Sequence, residues 1–228
     1  MMRVFLLNHA VPIAAVIGLA ELLCAGILFA DARRKSSVPV LLMGLIASGL
    51  AFDALVIAGG HALPAGILLI LSRVRFLAHG LFLPLCIALC GYVLDWVYTK
   101  KLAVVWLVTV LLCAAGGISG IVRGLELREF AGLLRYASVG TPVWAEKLNR
   151  FLNFGTVIPL IAAGIAAWIR QNNPCIFFAG FLMFLFSALG PATGNADLIF
   201  LISMAGEICM AGFFLLYEKT QWRDDGGY

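Results

Sequence analysis

Two carboxyl groups lie deep inside apolar stretches of this sequence, Glu21 and Glu207, and neither has a basic residue within one helical turn. Burial in apolar surroundings favours the protonated form of a carboxyl group. A neutral carboxylic acid of this kind can donate a proton to a lipid-soluble substrate, or it can act as a hydrogen-bonded packing element between helices. We favour a functional role for Glu207 over Glu21, which lies nearer the side that we expect to be cytoplasmic.

Arg75 and His79 are four residues apart, so they share one face of a helix. Asp53 lies one predicted helix away at a similar depth and is the natural partner of Arg75, because a buried ion pair costs far less than either charge alone. The three residues indicate either a structural ion pair between two helices or part of a polar site. Arg73 is predicted to extend towards the outer surface instead.

Asp197 and Asn153 are further polar candidates near the outer interface. Asp197 is a third candidate acid, but with Asn195 as N-cap it also suits the first turn of a helix, where the dipole favours a carboxylate. Asn153 is expected to contact substrate, as are Arg75 and His79. Aromatic residues that either line an apolar cavity or pack in the bundle are Phe76, Phe82, Trp106, Phe154, Phe181, Phe184 and Phe200. Of these, we expect Phe76, Phe154 and Trp106 to contact substrate.

The composition indicates that a membrane surrounds these residues. The 228-residue chain is 63% hydrophobic and 12% charged, with a mean hydropathy of +1.03, whereas soluble domains are about 45–50% apolar and roughly 25% charged. A core of this size could not bury so much apolar surface in water. At roughly 20 residues per transmembrane helix, we predict an all-α polytopic membrane protein, a bundle of seven helices forming one domain over 1–228.

Apolar runs bounded by charged or turn residues give the predicted spans, which are 4–30, 38–59, 65–98, 102–122, 148–169, 175–190 and 197–217. The third run is too long for one straight span and too short for two, and Pro84 predicts a kink within it. The polar segment 123–147 has apolar residues at helical spacing, which predicts an amphipathic helix on the outer surface. That segment is either a solvated connection or a lid over an outward-facing cavity.

Lysine and arginine residues in the short loops predict the orientation in the membrane. Most fall on one side of the predicted bundle, which we expect to be the cytoplasm: Arg33, Arg34, Lys35, Lys100, Lys101, Arg170, Lys219 and Arg223. The N-terminus is then outside and the C-terminus in the cytoplasm, and the protein is expected to be a multi-pass protein of the cell membrane. Most ionisable residues of the spans then lie in the outer half, consistent with one polar pocket.

Residues that the sequence lacks argue against several familiar membrane chemistries. A retinal protein needs a lysine in the middle of its last helix, and this chain has none there before Lys219. A zinc hydrolase needs clustered histidine and carboxylate ligands, but the chain has three histidines and none follows His79. We therefore expect no metal and no cofactor. The net charge of +4 comes from a few loop residues and does not indicate nucleic-acid binding.

Two motifs resemble a pattern in small bacterial seven-helix proteins, namely Phe52-Asp53-Ala-Leu-Val in the second span and Arg73-Val-Arg75-Phe-Leu-Ala-His79 with Pro84 in the third. Some of those proteins resemble membrane-bound terpene cyclases, whose fungal members are about as long as this chain. The resemblance covers the layout of the whole chain but specifies only a handful of residues. Where the fungal second span has a Trp-Glu pair, this chain has Phe52-Asp53.

The resemblance implies a proton-initiated cyclisation of a prenyl chain that requires no metal. The fungal enzymes place one catalytic carboxylate in the second span and another in the seventh, which implies Asp53 together with Asp197 or Glu207 here. An acid of this kind protonates an alkene or epoxide, and an apolar, aromatic cavity shields the carbocation from water. The expected partners are membrane lipid and a hydrophobic small-molecule substrate.

Two other functions stay open, as does the oligomeric state. One is a small-molecule or proton-coupled transporter, in which Asp53, Arg75 and Glu207 form a coupling relay. It lacks the detectable internal repeat that many transporters have. The other is a non-catalytic sensor or assembly factor, in which the same polar residues only fix the packing of the helices.

Overall fold

The computed structural model describes the backbone of residues 9–224, with the side chains of all but residues 196, 197 and 222–224. Within this range, seven helical segments are long and apolar enough to cross a membrane. The predicted all-α, seven-helix bundle of a multi-pass membrane protein is confirmed. The first predicted span began at residue 4, and the part of it before residue 9 lies outside the described residues.

The helices follow one another in the order α1 (Ala10–Lys35), α2 (Val38–Ala58), α3 (Ala65–Phe82), α4 (Leu85–Val93), α5 (Lys100–Ile121), α6 (Val143–Gln171), α7 (Cys175–Ala192) and α8 (Ala196–Asp224). Helices α3 and α4 form a single crossing over Ala65–Val93. The helix is interrupted at Leu83 and Pro84, because a proline has no backbone N–H to donate and its ring clashes with the preceding turn. The break in the helix lies where a kink was predicted, at Pro84, and the long third run forms one candidate crossing.

Helix α2 is the most buried of the crossings and packs against α1, α3, α4 and α8. Its neighbour α3 packs closely against α5 at glycine residues. A Cβ atom at Gly80 would lie 2.2 Å from the carbonyl oxygen of Gly116, and one at Gly116 would lie 2.3 Å from the oxygen of Gly80. Small residues let helix backbones approach in membranes, where apolar burial alone does not drive helices together. These glycines therefore fix the separation of α3 and α5.

The segment between α5 and α6 is a β-hairpin, so the predicted amphipathic helix within 123–147 is wrong. Strand β1 (Leu125–Phe130) pairs antiparallel with β2 (Leu133–Ser138). The connecting residues Ala131 and Gly132 both have positive φ, at 53° and 71°, as a two-residue type I′ turn requires. The alternation Leu-Glu-Leu-Arg in β1 is typical of a strand. The spacing of the apolar residues in the same segment also fits a helix, so the sequence favours neither structure clearly.

The hairpin covers one end of the bundle, which we call the hairpin end. Leu133 is buried in a cluster with the ends of α1, α2 and α8, which includes Ala10, Ala54, Ile57, Phe200 and Met204. The loop after α2 touches the hairpin so closely that a Cβ atom at Gly60 would lie 1.7 Å from the oxygen of Leu134. The hairpin is therefore packed onto the helices as a cap.

Charged side chains join α1 to α8 at the opposite end of the bundle. Asp31, which is buried, accepts hydrogen bonds from Arg34 and from Lys219, and Lys35 pairs with Glu218. These pairs satisfy the two buried carboxylates, Asp31 and Glu218. They stabilise the contact between the first and last crossings.

A Gly80→Ala substitution is expected to destabilise the protein, because the added methyl group meets the backbone of α5. Overpacking of this kind costs about 1–3 kcal/mol. The measurement is the fraction of purified protein that stays monodisperse in detergent after heating. Gly26→Ala is the matched control, since a Cβ atom there has nothing within 4 Å. Equal losses for the two variants would contradict close packing at Gly80.

Candidate functional site

A polar pocket of about 280 Å³ lies beneath the hairpin. Three arginines from three different elements line it, namely Arg75 of α3, Arg123 of the loop after α5, and Arg135 of β2. The other lining residues are Asp53, Phe76, His79, Tyr136, Ala137, Ser138, Asn149 and Asn153. We call this cavity the arginine pocket. Its existence depends on the hairpin, which supplies Arg135 and the three residues that follow it.

Arg75 and Asp53 form the ion pair that their spacing predicts. The Nε atom of Arg75 lies 3.2 Å from Oδ1 of Asp53, and the Arg75 side chain is only 3% exposed. The distance is that of an ion pair, although the angle is not that of a hydrogen bond, so this Nε has no hydrogen-bond partner among the described residues. The guanidinium also donates to the carbonyl oxygen of Tyr136 at 3.2 Å. Arg75 thereby ties α2, α3 and the hairpin together.

Arg123 and Arg135 are held by aromatic rings. The guanidinium of Arg123 lies 4.3 Å from the ring centre of Phe76, and that of Arg135 lies within 5 Å of both Phe130 and Phe200. Within the described part of the chain neither makes an ion pair within 4.0 Å. Burial, followed by repulsion from Arg75, lowers the pKa of each to about 10. Both remain charged at neutral pH.

A second cavity of about 290 Å³ lies between α3, α6, α7 and α8. We call it the apolar cavity. Its lining is mostly aliphatic and aromatic: Leu83, Phe154, Val157, Met183, Phe184, Pro191 and Ile199, with Ser187, Ser203, His79, Asn153 and Glu207 as the polar members. The rings of Phe154 and Phe184 meet edge to face, with centroids 6.0 Å apart. Glu207 is 7% exposed, and its Oε2 atom has no hydrogen-bond partner among the described residues.

His79 and Asn153 line both cavities. They come from α3 and α6, and the two side chains interact with each other. The wall between the arginine pocket and the apolar cavity is therefore made in part of two polar side chains. A molecule with a polar head and an apolar chain, lying with one part in each cavity, would pass these two residues.

Glu21 is completely buried, and it lines neither the arginine pocket nor the apolar cavity. Neither of its carboxyl oxygens has a hydrogen-bond partner among the described residues. It lies close enough to Glu207 and Asp53 for their charges to interact. Of Glu21, Glu207 and Asp53, only Asp53 forms an ion pair within the described part of the chain.

The structure brings together most of the residues that we singled out from the sequence. The arginine pocket contains Asp53, Arg75, Phe76, His79 and Asn153, and the apolar cavity contains Glu207, Phe154 and Phe184. Trp106 lies apart from both cavities and donates its indole N–H to the hydroxyl of Tyr92. Asp197 belongs to the first turn of α8, but its side chain lies outside the described residues. Its role stays a prediction.

Two site residues were missed from the sequence, Arg123 and Arg135. Arg135 falls within 123–147, where we expected an amphipathic helix on the outer surface. The two-residue turn at Ala131-Gly132 was the available signal, because it folds β2 back over the helix ends. Arg73, by contrast, is exposed as expected and donates to the carbonyl oxygen of Ile121 at 3.3 Å.

No protein-family model matches the chain, and no curated protein sequence matches it. The case for a function therefore comes from the geometry of the two cavities and from the chemistry of the residues that line them.

Asp53→Asn is expected to destabilise the protein by about 3 kcal/mol, because it leaves Arg75 buried without a counter-charge. The measurement is the unfolding temperature of the purified protein in detergent. Glu126→Gln is the matched control, since it removes a carboxylate from an exposed pair with Arg128, where the expected loss is at most about 1 kcal/mol. Adding Arg75→Met to Asp53→Asn should recover part of the stability. An Asp53→Asn protein as stable as the wild type would refute a structural role for the pair.

Proposed function

We propose that this protein is an intramembrane enzyme that protonates an isoprenoid or related lipid, most concretely a terpene cyclase that starts cyclisation with a proton. The observation that carries the proposal is Glu207, a buried carboxyl group with an unpartnered oxygen on the wall of a cavity lined mostly by apolar side chains. The Phe52-Asp53 and Arg73–His79 motifs resemble a pattern in small bacterial seven-helix proteins, some of which resemble membrane-bound terpene cyclases, and this agrees with the proposal.

Glu207 has the surroundings that an acid needs at this depth. Ionised carboxylates are costly away from water unless they are paired, and Glu207 forms no ion pair with any described residue. The neutral acid is therefore favoured, and it carries a proton that it can donate to an alkene. Asp53 has different surroundings, because it forms an ion pair with the adjacent Arg75. We therefore assign the proton donor to Glu207 and give Asp53 the role of counter-charge to Arg75.

The rest of the apolar cavity suits a carbocation. Phe154 and Phe184 present aromatic rings, whose faces attract positive charge, and the aliphatic residues around them exclude water. Its volume of about 290 Å³ lies near the lower end of the usual range for small-molecule sites, roughly 300–1,000 Å³. Phe154 lines this cavity and is itself 44% exposed, and we propose that lipid contacts it. An apolar substrate can thus enter sideways from the bilayer.

The proposed reaction leaves the composition of the substrate unchanged. Glu207 transfers its proton to one carbon of an alkene, and the carbocation forms on the other carbon. A second alkene of the same chain attacks that carbon, which closes a ring and moves the charge. Loss of a proton from a neighbouring carbon to the Glu207 carboxylate restores both the alkene and the acid. His79, which lines the same cavity and also reaches the arginine pocket, is the group that we assign to proton exchange with the hairpin end.

A proton-coupled transporter is the second candidate function. The buried position of Glu21 near two other carboxyl groups favours it. Three carboxyl groups, Glu21, Glu207 and Asp53, interact electrostatically inside the bundle. A set of this kind can take up and release protons as the helices rearrange. In either case we propose that the hairpin end faces outwards and that the opposite end lies in the cytoplasm, in agreement with the positive-inside rule.

Glu207→Gln is expected to abolish isomerisation of prenylated substrates by membranes that contain the protein. Loss of a general acid lowers a rate by about 10²–10⁴-fold. The assay separates products by chromatography and looks for compounds of unchanged mass but altered retention. Glu129→Gln is the matched control, because Glu129 is exposed on the hairpin and lines neither cavity. It should keep the wild-type rate.

If isomerisation persists in the Glu207→Gln variant, Glu207 is not the proton donor. Isomerisation by neither protein, together with proton-dependent uptake into vesicles that is lost in Glu21→Gln, would favour the transporter. Immunoblotting of the membranes for each variant ensures that rates are compared at equal amounts of protein.

A further inference from the structure

The arginine pocket carries more positive charge than its own residues neutralise. Arg75, Arg123 and Arg135 line it, and Asp53 is the one carboxylate among its lining residues. Glu146 lies outside the lining but close enough to Arg123 for their charges to interact. The two unpaired arginines also repel Arg75, which contributes to their lowered pKa. An arrangement of this kind is stabilised when an anion enters.

Hairpin stability does not explain Arg135. It lies directly opposite Arg128 in the strand register, and like charges in that position destabilise a hairpin. Arg128 is compensated by Glu126, whose Oε2 lies 2.9 Å from its guanidinium. Arg135 has no such partner within the described residues and is held beneath the hairpin by Phe130 and Phe200. These ring contacts offset part of the cost of burying its charge, and an anion in the pocket would offset more.

The way in which the arginines are held leaves their donors available. A guanidinium that stacks on an aromatic ring is held by its face, so the N–H groups at its edge stay free for an anion. The Nε atoms of Arg123 and Arg135 are buried without a hydrogen-bond partner among the described residues, so an anion in the pocket would meet the terminal N–H groups of these side chains. Planar arginine forks are suited to phosphate and carboxylate groups. Arg123 and Arg135 thus supply charged donors that no described carboxylate pairs with.

We propose that the arginine pocket binds the phosphate of an amphiphile, a phosphate monoester whose apolar chain passes His79 and Asn153 into the apolar cavity. A phosphate monoester carries a charge of about −1.5 to −2 at neutral pH, which matches the two arginines that lack a carboxylate partner. The shared wall of the two cavities supports the path of the chain. The inference deepens the proposed function and rests on it for the place of the chain, whereas the phosphate site rests on the arginines alone.

The test measures binding of farnesyl phosphate, farnesol and inorganic phosphate to the purified protein in nanodiscs of uncharged lipid. Farnesyl phosphate is expected to bind at least tenfold more tightly than farnesol or inorganic phosphate, since only it fills both cavities. Arg123→Gln and Arg135→Gln should each weaken its binding at least tenfold, because each removes a charge-assisted hydrogen bond. Arg128→Gln, on the same hairpin but exposed, should leave binding unchanged. Unfolding temperatures without ligand check that each variant is folded.

Two results would overturn the inference. One is equal binding of farnesyl phosphate and farnesol by the wild type. The other is equal binding of inorganic phosphate and farnesyl phosphate, which would make the site one for the free anion.

Measuring both binding and isomerisation distinguishes a failure of the phosphate site from a failure of the proposed cyclase activity. Farnesyl phosphate that binds through the arginines but is never isomerised would leave the phosphate site in place and count against the cyclase. Isomerisation of farnesol at a rate that Arg123→Gln and Arg135→Gln do not change would do the reverse. It would support the cyclase and show that the protein does not recognise its substrate through a phosphate group.

Discussion

A charge buried at membrane depth needs a partner, and the contacts of Arg75 show how the molecule meets this requirement. Its guanidinium lies beside Asp53 of α2, donates to the backbone of Tyr136 in β2, and stacks on Phe76 of its own helix. An unpaired arginine here would cost several kcal/mol. The pair therefore fixes α2 against α3 and gives the hairpin a polar attachment. The arginine pocket exists only because these three elements meet at Arg75.

This ion pair could be predicted from the sequence alone, because the position of a residue along a transmembrane helix determines its depth. Asp53 lies near the end of one apolar run and Arg75 near the start of the next, so consecutive antiparallel helices bring them to the same depth. The kink at Pro84 was predictable for a similar reason, since a proline lacks the donor that the helix needs. Membrane crossings follow from composition, because each backbone polar group in the bilayer must be satisfied within its own segment.

The hairpin was not predicted from the sequence, because the apolar residues of this segment fit two different secondary structures. Leu127, Phe130, Leu133 and Leu134 fit a helical period, but they also fit two short strands that turn at Ala131-Gly132. Local spacing cannot decide between these alternatives. The long-range contacts decide it: Leu133 is buried against α1, α2 and α8, and the loop at Gly60 meets the backbone of Leu134. The missed arginines, Arg123 and Arg135, follow from the same error, because their place depends on the hairpin.

The attachments of the hairpin bear on how the proposed substrate would reach the two cavities. The turn of the hairpin is packed against the helix ends, His61 lies 3.0 Å from the carbonyl oxygen of Gly132, and Arg75 holds Tyr136. Opening the hairpin as a lid would break these contacts and expose Leu133 and Arg75 together. The apolar cavity, in contrast, is lined by Phe154, which is 44% exposed. Sideways entry from lipid disturbs none of the hairpin contacts, so the packing favours a fixed cap and access through the bilayer.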